Sequence, residues 1–156
     1  MTVVDSNLKS ILKEGEVAKY IDGFDNKYAV TNIGRVFSAK RKLIYKTLKG
    51  EEYIATIYRE LKQFYVRGYK SVCLSKVDIY GINKKKNYYI HELVFLSFYG
   101  YYNKGFFKII HINHQKEDNR LENLKLDFRK KDEQFIEKYK KQQRILEHLK
   151  DYSIAE

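Results

Sequence analysis

The sequence predicts an α+β protein with three parts: a small N-terminal antiparallel sheet module, a core of two strands and a helix, and a basic C-terminal helix. Three observations carry this expectation. Tyr28-Ala-Val30 and Arg35-Val-Phe37 alternate as strands on either side of Thr31-Asn-Ile-Gly34, which supplies a turn. The apolar segment Phe106, Phe107, Ile109, Ile110 ends at His111, after which come a polar turn and an Asn-Arg-Leu-Glu-Asn-Leu run that reads as a helix start. From Glu133 to Tyr152, Phe135, Tyr139, Leu146, Leu149 and Tyr152 recur at helical spacing, with Ile136 and Ile145 alongside.

A chain of 156 residues is one domain, or one domain with a small appendage, and can bury a modest core. Its formal charge of +11 is unevenly spread: residues 1–26 hold three Lys against five acids, so the remainder carries +13. Such an excess implies a polyanionic partner, most simply nucleic acid. The fifteen Tyr and nine Phe interleaved with Lys and Arg suit that surface, since rings stack on bases and support cationic stems. A composition biased by AT-rich coding raises Lys, Tyr and Ile together, but does not by itself lift lysine above acid. Cys73 is alone, so it forms no internal disulfide and four-cysteine zinc sites are excluded; within Ser71-Val-Cys-Leu74 it is expected as a small buried hydrophobe. With neither a signal peptide nor an apolar span of about 18 residues, the chain is expected to be soluble and intracellular, in a host cytoplasm or associated with a virus. Proline is absent, leaving turns to Gly, Asn and Asp.

Taken in order, residues 1–15 form an arm with a short amphipathic helix, Asn7 to Lys13, whose Leu8, Ile11 and Leu12 share a face and which Asp5 or Ser6 can cap. Residues 16–87 form the sheet module, with an insertion at 42–60 read as a hairpin or short helix just after Lys40, Arg41 and Lys42. A Gly68-Tyr69 turn leads into a strand through Leu74, and Asn83 to Asn87 read as a basic turn carrying Lys84, Lys85 and Lys86. Residues 88–132 form the core, opening with Tyr88 to Val94 and a helix over Leu93–Phe98. Residues 133–156 are the C-terminal helix, which with its approach carries Arg129, Lys130, Lys131, Lys138, Lys140, Lys141, Arg144 and Lys150.

Two blocks of this chain resemble a known family. His111, Asn119, Asn123 and Leu124 fall without gaps on the pattern [DN]-H-x-D-G-N-x-x-x-N-x-x-x-N-L of the HNH endonucleases, in particular the homing type encoded by introns and phages. Upstream, Ile21, Gly23, Phe24, Tyr28, Val30, Asn32, Gly34, Arg35, Val36 and Ser38 fit the small module W-x-x-I-x-G-[FY]-x-x-x-Y-x-V-S-N-x-G-R-V-x-S that precedes the core in many of these enzymes, with Ala18 in place of the aromatic. Tyr88 to Val94 resembles the family's V-H-[RE]-L-V segment, so the resemblance runs over roughly residues 16–132. It implies a ββα-metal (His-Me finger) core and binding of double-stranded DNA. It also implies an endonuclease or nickase reaction with Mg²⁺ or Mn²⁺.

The same resemblance implies roles. His111 stands as the general base, Asn119 and Asn123 as the turn-fixing and helix-capping amides, and Asp132, 21 residues after the base, as the metal ligand on the helix. The family's other ligand is the Asp or Asn before the base; here it is Ile110, and Asn113, His114 and Gln115 replace Asp-Gly-Asn. Two readings therefore stand. In one, the carboxylate has moved to the helix and a weak, DNA-dependent metal site survives, since Mg²⁺ is often held by one or two carboxylates plus phosphate and water. In the other, the site has decayed and the scaffold survives as a DNA-binding or regulatory protein. A third has the fold serving protein contact, as in a virion component. A zinc reading of His111, His114 and Asp118 is the lesser alternative for that turn, and His91 reads as structural or phosphate-facing. The expected DNA contacts are Arg35, Lys40, Arg41, Lys84, Lys85, Lys86, Arg120, Arg129, Lys130 and Lys131. The oligomeric state stays open.

Overall fold

The computed structural model describes residues 5–46, 50, 52–130 and 133–153. The chain runs α1 (Ser6–Lys9), β1 (Ala18–Tyr20), β2 (Tyr28–Thr31), β3 (Val36–Lys46), β4 (Glu52–Glu60), β5 (Phe64–Val66), β6 (Tyr69–Val77), β7 (Asn83–Tyr89), α2 (Ile90–Tyr99), β8 (Phe107–His111), a 3₁₀ turn (Leu121–Asn123), β9 (Leu124–Phe128) and α3 (Glu133–Ser153). The strands form three antiparallel sheets, β1-β2-β3-β4, β5-β6-β7 and β8-β9. The fold is α+β and ends in the expected long helix.

Helix α2 is the pivot of the core. Its Ile90, Leu93, Val94 and Phe95 pack with Val30 and Val36 from the first sheet, Val72 and Leu74 from β6, and Leu124 from β9. It opens at Ile90, earlier than the expected Leu93, and stops at Gly100, whose φ of 89° a side chain would resist and whose N–H returns to the Leu96 carbonyl. The Thr31–Gly34 turn joins β2 to β3 as expected, closed by the Gly34 N–H on the Thr31 carbonyl at 3.0 Å. Gly34 is needed twice over: its φ is +84°, and a Cβ there would lie 3.0 Å from Asn119 Cβ. Because the turn presses this closely, the Leu121 N–H reaches the Asn32 carbonyl at 2.7 Å and ties the first sheet to the segment between β8 and β9.

Several local expectations are corrected. α1 is one turn, not the stretch to Lys13: Asp5 caps it by accepting the Asn7 N–H at 2.8 Å, while the Ser10 hydroxyl competes for the Asn7 carbonyl at 2.9 Å. That single turn suffices to bury Leu8 against Ala18, Ala29 and Phe37, and leaves Ile11 exposed. Of the two forms expected for the insertion at 42–60, the hairpin is the one found: it belongs to β3–β4, paired from Phe37↔Glu60 to Lys46↔Glu52 with a bulge at Ala39/Arg41. Lys84, Lys85 and Lys86 lie within strand β7 instead of a turn, opposite Lys76, Ser75 and Leu74. The turn falls earlier, where the Asp78 carboxylate accepts the N–H groups of Tyr80 and Ile82. Cys73 is exposed, since alternation along β6 sends Val72 and Leu74 inward and Cys73 out. The Asn-Arg-Leu-Glu-Asn-Leu run makes one 3₁₀ turn and then strand β9, because Leu124 pairs with His111 in the hairpin.

Helix α3 meets the hairpin through rings: Tyr139 packs on Phe106, Phe107 and Phe128 at 4.9–5.7 Å, and Phe135 on Phe106. Lys131 and Asp132 lie outside the described residues, as do the side chains of Lys40 and Arg41 on β3 and those of Leu146, His148, Leu149 and Tyr152 on α3.

Candidate active site

His111 ends β8, and Asn119 stands eight residues on, at the close of the loop that follows. Both side chains are buried. Asn119 Nδ2 donates to the Glu117 carbonyl at 3.2 Å, which turns its Oδ1 toward His111 Nε2, also at 3.2 Å. An amide oxygen only accepts, so Nε2 carries the hydrogen and donates. A neutral imidazole has one N–H, which leaves the lone pair on Nδ1. The contact thus selects a tautomer.

Asn123 holds the loop in shape. Its Oδ1 accepts the Asn113 N–H at 2.9 Å, and its Nδ2 donates to Asn113 Oδ1 at 2.9 Å and to the Asp118 carbonyl at 2.8 Å. Three bonds on one buried amide explain why Asn suits the position; it sits inside the 3₁₀ turn and does not cap a helix. Asn113 Oδ1 also takes the Gln115 N–H, and His114 has a φ of 61°, the left-handed backbone that the family's glycine supplies without strain. Arg120 grips the Asp118 carboxylate through Nε and Nη2 at 2.8 Å, so that carboxyl is held down at about 2, and Asn113 Nδ2 adds a further donor.

A wall of rings stands behind His111. Tyr69 from β6 stacks on it at 6.1 Å between centroids, and His91 from α2 meets it edge-on at 5.3 Å. Tyr69 and Tyr89 in turn cover His91 at 5.0 and 5.5 Å. Burial, then the nearby His111 and Lys104, push the His91 imidazole down to about 4, and its Nδ1 has no partner. It is therefore neutral at pH 7. Lys116 lies 4.7 Å over the Tyr69 ring, and the Tyr65 hydroxyl bonds to Glu117. Tyr69 and Tyr89 escaped the sequence reading. The signal available was parity: both odd-numbered rings fall on one face of the β6–β7 pair.

The expected cationic contacts divide into two groups. Arg35 is engaged inside the fold: Nη1 meets the buried Glu16 carboxylate at 2.8 Å, Nε and Nη2 meet Glu60 at 3.0 and 2.8 Å, and the guanidinium lies 4.7 Å over Phe37. Burial alone would raise the Glu16 carboxyl, but the Lys13 N–H, Thr31 and Arg35 together bring it below its ordinary value. Arg120 is matched by Asp118 and by Glu122 at 2.9 Å. Lys85 and Lys130 are exposed, Lys84 pairs with Asp78, Lys86 lies over Tyr88, and the exposed Arg129 donates Nε to the Lys104 carbonyl.

The core just described, strand, His111 loop, strand, matches the HNH endonuclease family over residues 88–129. That match takes in both strands of the His111 hairpin and the loop between them. Residues 16–75 match the NUMOD4 motif. Among solved structures, this chain is similar to the HNH homing endonuclease I-HmuI, a structure described for DNA binding and cleavage. Identity is 25%, with a TM-score of 0.52 over 82% of this chain and 59% of that one. This chain thus spans about 59% of the length of the I-HmuI chain. No curated protein gives a match. Among the described residues no helix is long and apolar enough to cross a membrane.

HNH nucleases depend in general on a divalent metal, so the donors around His111 bear on the site. Among the described residues, no three His, Cys, Asp or Glu side chains stand close enough to hold an ion. The position before His111 is Ile110, paired with Lys125 across the hairpin, and the Asp118 carboxylate is committed to Arg120 and Asn113. His111, His114 and Asp118 do not form a zinc site. The described donor set does not fit a metal by itself.

Proposed function

We propose that this chain binds duplex DNA and nicks it, with His111 as the general base. The observation that carries the reading is the Asn119–His111 bond, which leaves Nδ1 as the proton acceptor while the ring is braced by Tyr69 and His91. In that role Nδ1 takes a proton from water as the water attacks phosphorus in line, the P–O bond to the sugar oxygen on the opposite side breaks, and that oxygen leaves and is protonated from solvent. Asn119 keeps the tautomer and Asn123 keeps the loop. The net charge of +11 and the exposed Lys85, Arg129 and Lys130 support a polyanionic partner. Mg²⁺ or Mn²⁺ would draw its ligands from Asp132, from phosphate oxygens and from water.

Ile110 and the missing donor cluster favour a second reading, a DNA-binding or regulatory protein without cleavage. Supercoiled plasmid with Mg²⁺ or Mn²⁺, with and without EDTA, separates the two. The nickase yields open circles only with metal. The binder yields none, yet still shifts duplex DNA with an affinity that falls steeply as salt rises. Affinity that stays flat from low to moderate salt removes DNA as the partner under both readings.

A further inference from the structure

The tip of the β6–β7 hairpin reverses the usual sorting of side chains. Val77, Ile79, Tyr80 and Ile82 are 55%, 90%, 80% and 57% exposed, four large apolar residues within six positions. The turn that presents them is built and closed: Asp78 accepts the N–H groups of Tyr80 and Ile82 at 2.9 and 3.0 Å, its own N–H reaches the Ile82 carbonyl, and Lys84 pairs with its carboxylate at 2.8 Å. The turn's polar groups are satisfied inward and its apolar side chains point to solvent. An exposed apolar cluster of this kind marks an interaction site.

Charge and geometry favour one occupant. Lys76, Lys84, Lys85 and Lys86 flank the tip on the two strands; Lys85 shares the face of Tyr69 and Tyr89, while Lys76, Lys84 and Lys86 lie on the other, with Lys84 on Asp78. An apolar point with a cationic collar fits a duplex, with phosphates outside and stacked bases within. The uninterrupted register puts Val77, Lys85 and Asn87 on the same face as Tyr69 and Tyr89, the rings against His111 and His91. Eight residue steps separate Tyr69 from Val77, about 26 Å at ~3.3 Å per step. One duplex lying along that face meets both the His111 site and the tip. We propose that Ile79 and Tyr80 act as an apolar wedge that enters the duplex and unstacks a base step, with Lys85 on an adjacent phosphate. This rests on DNA being the partner, but adds a deformation that phosphate contacts alone do not produce.

Unstacking changes the twist of closed circular DNA, which can be read without knowing a recognition sequence. Relaxed plasmid is incubated with the full chain in EDTA, which silences nicking, together with a metal-independent type IB topoisomerase, and the topoisomers are resolved. The parent is expected to shift the distribution in proportion to bound protein. An Ile79→Ser/Tyr80→Ser variant, altered only at exposed positions, should keep the salt dependence of binding and lose at least half of the shift at equal occupancy. An equal shift by the variant, or none by a parent that is bound, overturns the wedge and leaves DNA binding standing. A parent that does not bind DNA overturns both. If the substitutions abolish sedimentation with phosphatidylserine vesicles and leave the plasmid result unchanged, the tip is a membrane contact and the wedge is wrong.

Discussion

Between β8 and β9 the chain buries an imidazole and two amides; between β6 and β7 it exposes two isoleucines, a valine and a tyrosine. Ordinary sorting would reverse both choices. In the first turn the buried polar groups are held by hydrogen bonds that also define chemistry, with Asn123 fixing the loop and Asn119 fixing the tautomer of His111. In the second, the backbone closes on Asp78 and the side chains contribute nothing to the core. Places where a sequence departs from what folding alone favours are where function is to be sought. The two turns differ in whether that departure is woven into stability, and substitutions should expose the difference.

The largest effect is expected at Asn123. Asn123→Ala removes three hydrogen bonds and leaves the Asn113 N–H and the Asp118 carbonyl unpaired, so it should cost about 2–3 kcal/mol in urea unfolding. A cost below half a kcal/mol would mean that the loop is held by other contacts.

His91 comes next, through pH. Its folded value of about 4 lies below the ordinary 6.5, so the unfolded chain takes the proton first. Stability is then full above about pH 6.5 and falls as pH drops toward 4, by roughly 2–3 kcal/mol. Asp118, at about 2 against an ordinary 3.8, loses its contribution only at lower pH, so the windows separate. His91→Phe should flatten unfolding free energy between pH 6.5 and 4.5; an unchanged slope would place the acid sensitivity elsewhere.

Gly34→Ala should cost about 1–2 kcal/mol, from the φ of +84° and the 3.0 Å approach to Asn119 Cβ. It should also lower nicking by displacing Asn119, although Gly34 belongs to the other sheet. Undiminished activity would show that the module's contact does not reach the site. The smallest effect is expected at the exposed tip, where Ile79→Ser should change stability by less than ~0.5 kcal/mol. A larger loss would mean that the tip belongs to the folded core.

The sequence made the local geometry legible wherever the cause was local. The Thr31–Gly34 turn, the Gly68-Tyr69 entry to β6, the apolar strand ending at His111 and the α3 periodicity each rest on residues a few positions apart. What it hid depends on distant partners. Arg35 looks like a phosphate contact until Glu60, 25 residues on, folds against it. The Asn-Arg-Leu-Glu-Asn-Leu run has good helix formers, yet pairing of Leu124 with His111 turns it into a strand. Lys84, Lys85 and Lys86 look like a solvated turn because nothing in their own composition announces that β6 continues to Val77. For the site, motif register placed His111, Asn119 and Asn123 together, while the ring wall of Tyr69, Tyr89 and His91 needed the sheet.

In the proposed reaction the Asn119-braced imidazole of His111 is the proton acceptor for strand cleavage. Plasmid nicking by the parent and by His111→Ala, in Mn²⁺ and at DNA concentrations where both are equally bound, tests it most directly. The parent should form open circles, and His111→Ala should lose most of that rate at unchanged DNA affinity. Nicking by His111→Ala at the parental rate would contradict the claim and leave a DNA-binding fold whose chemistry lies elsewhere.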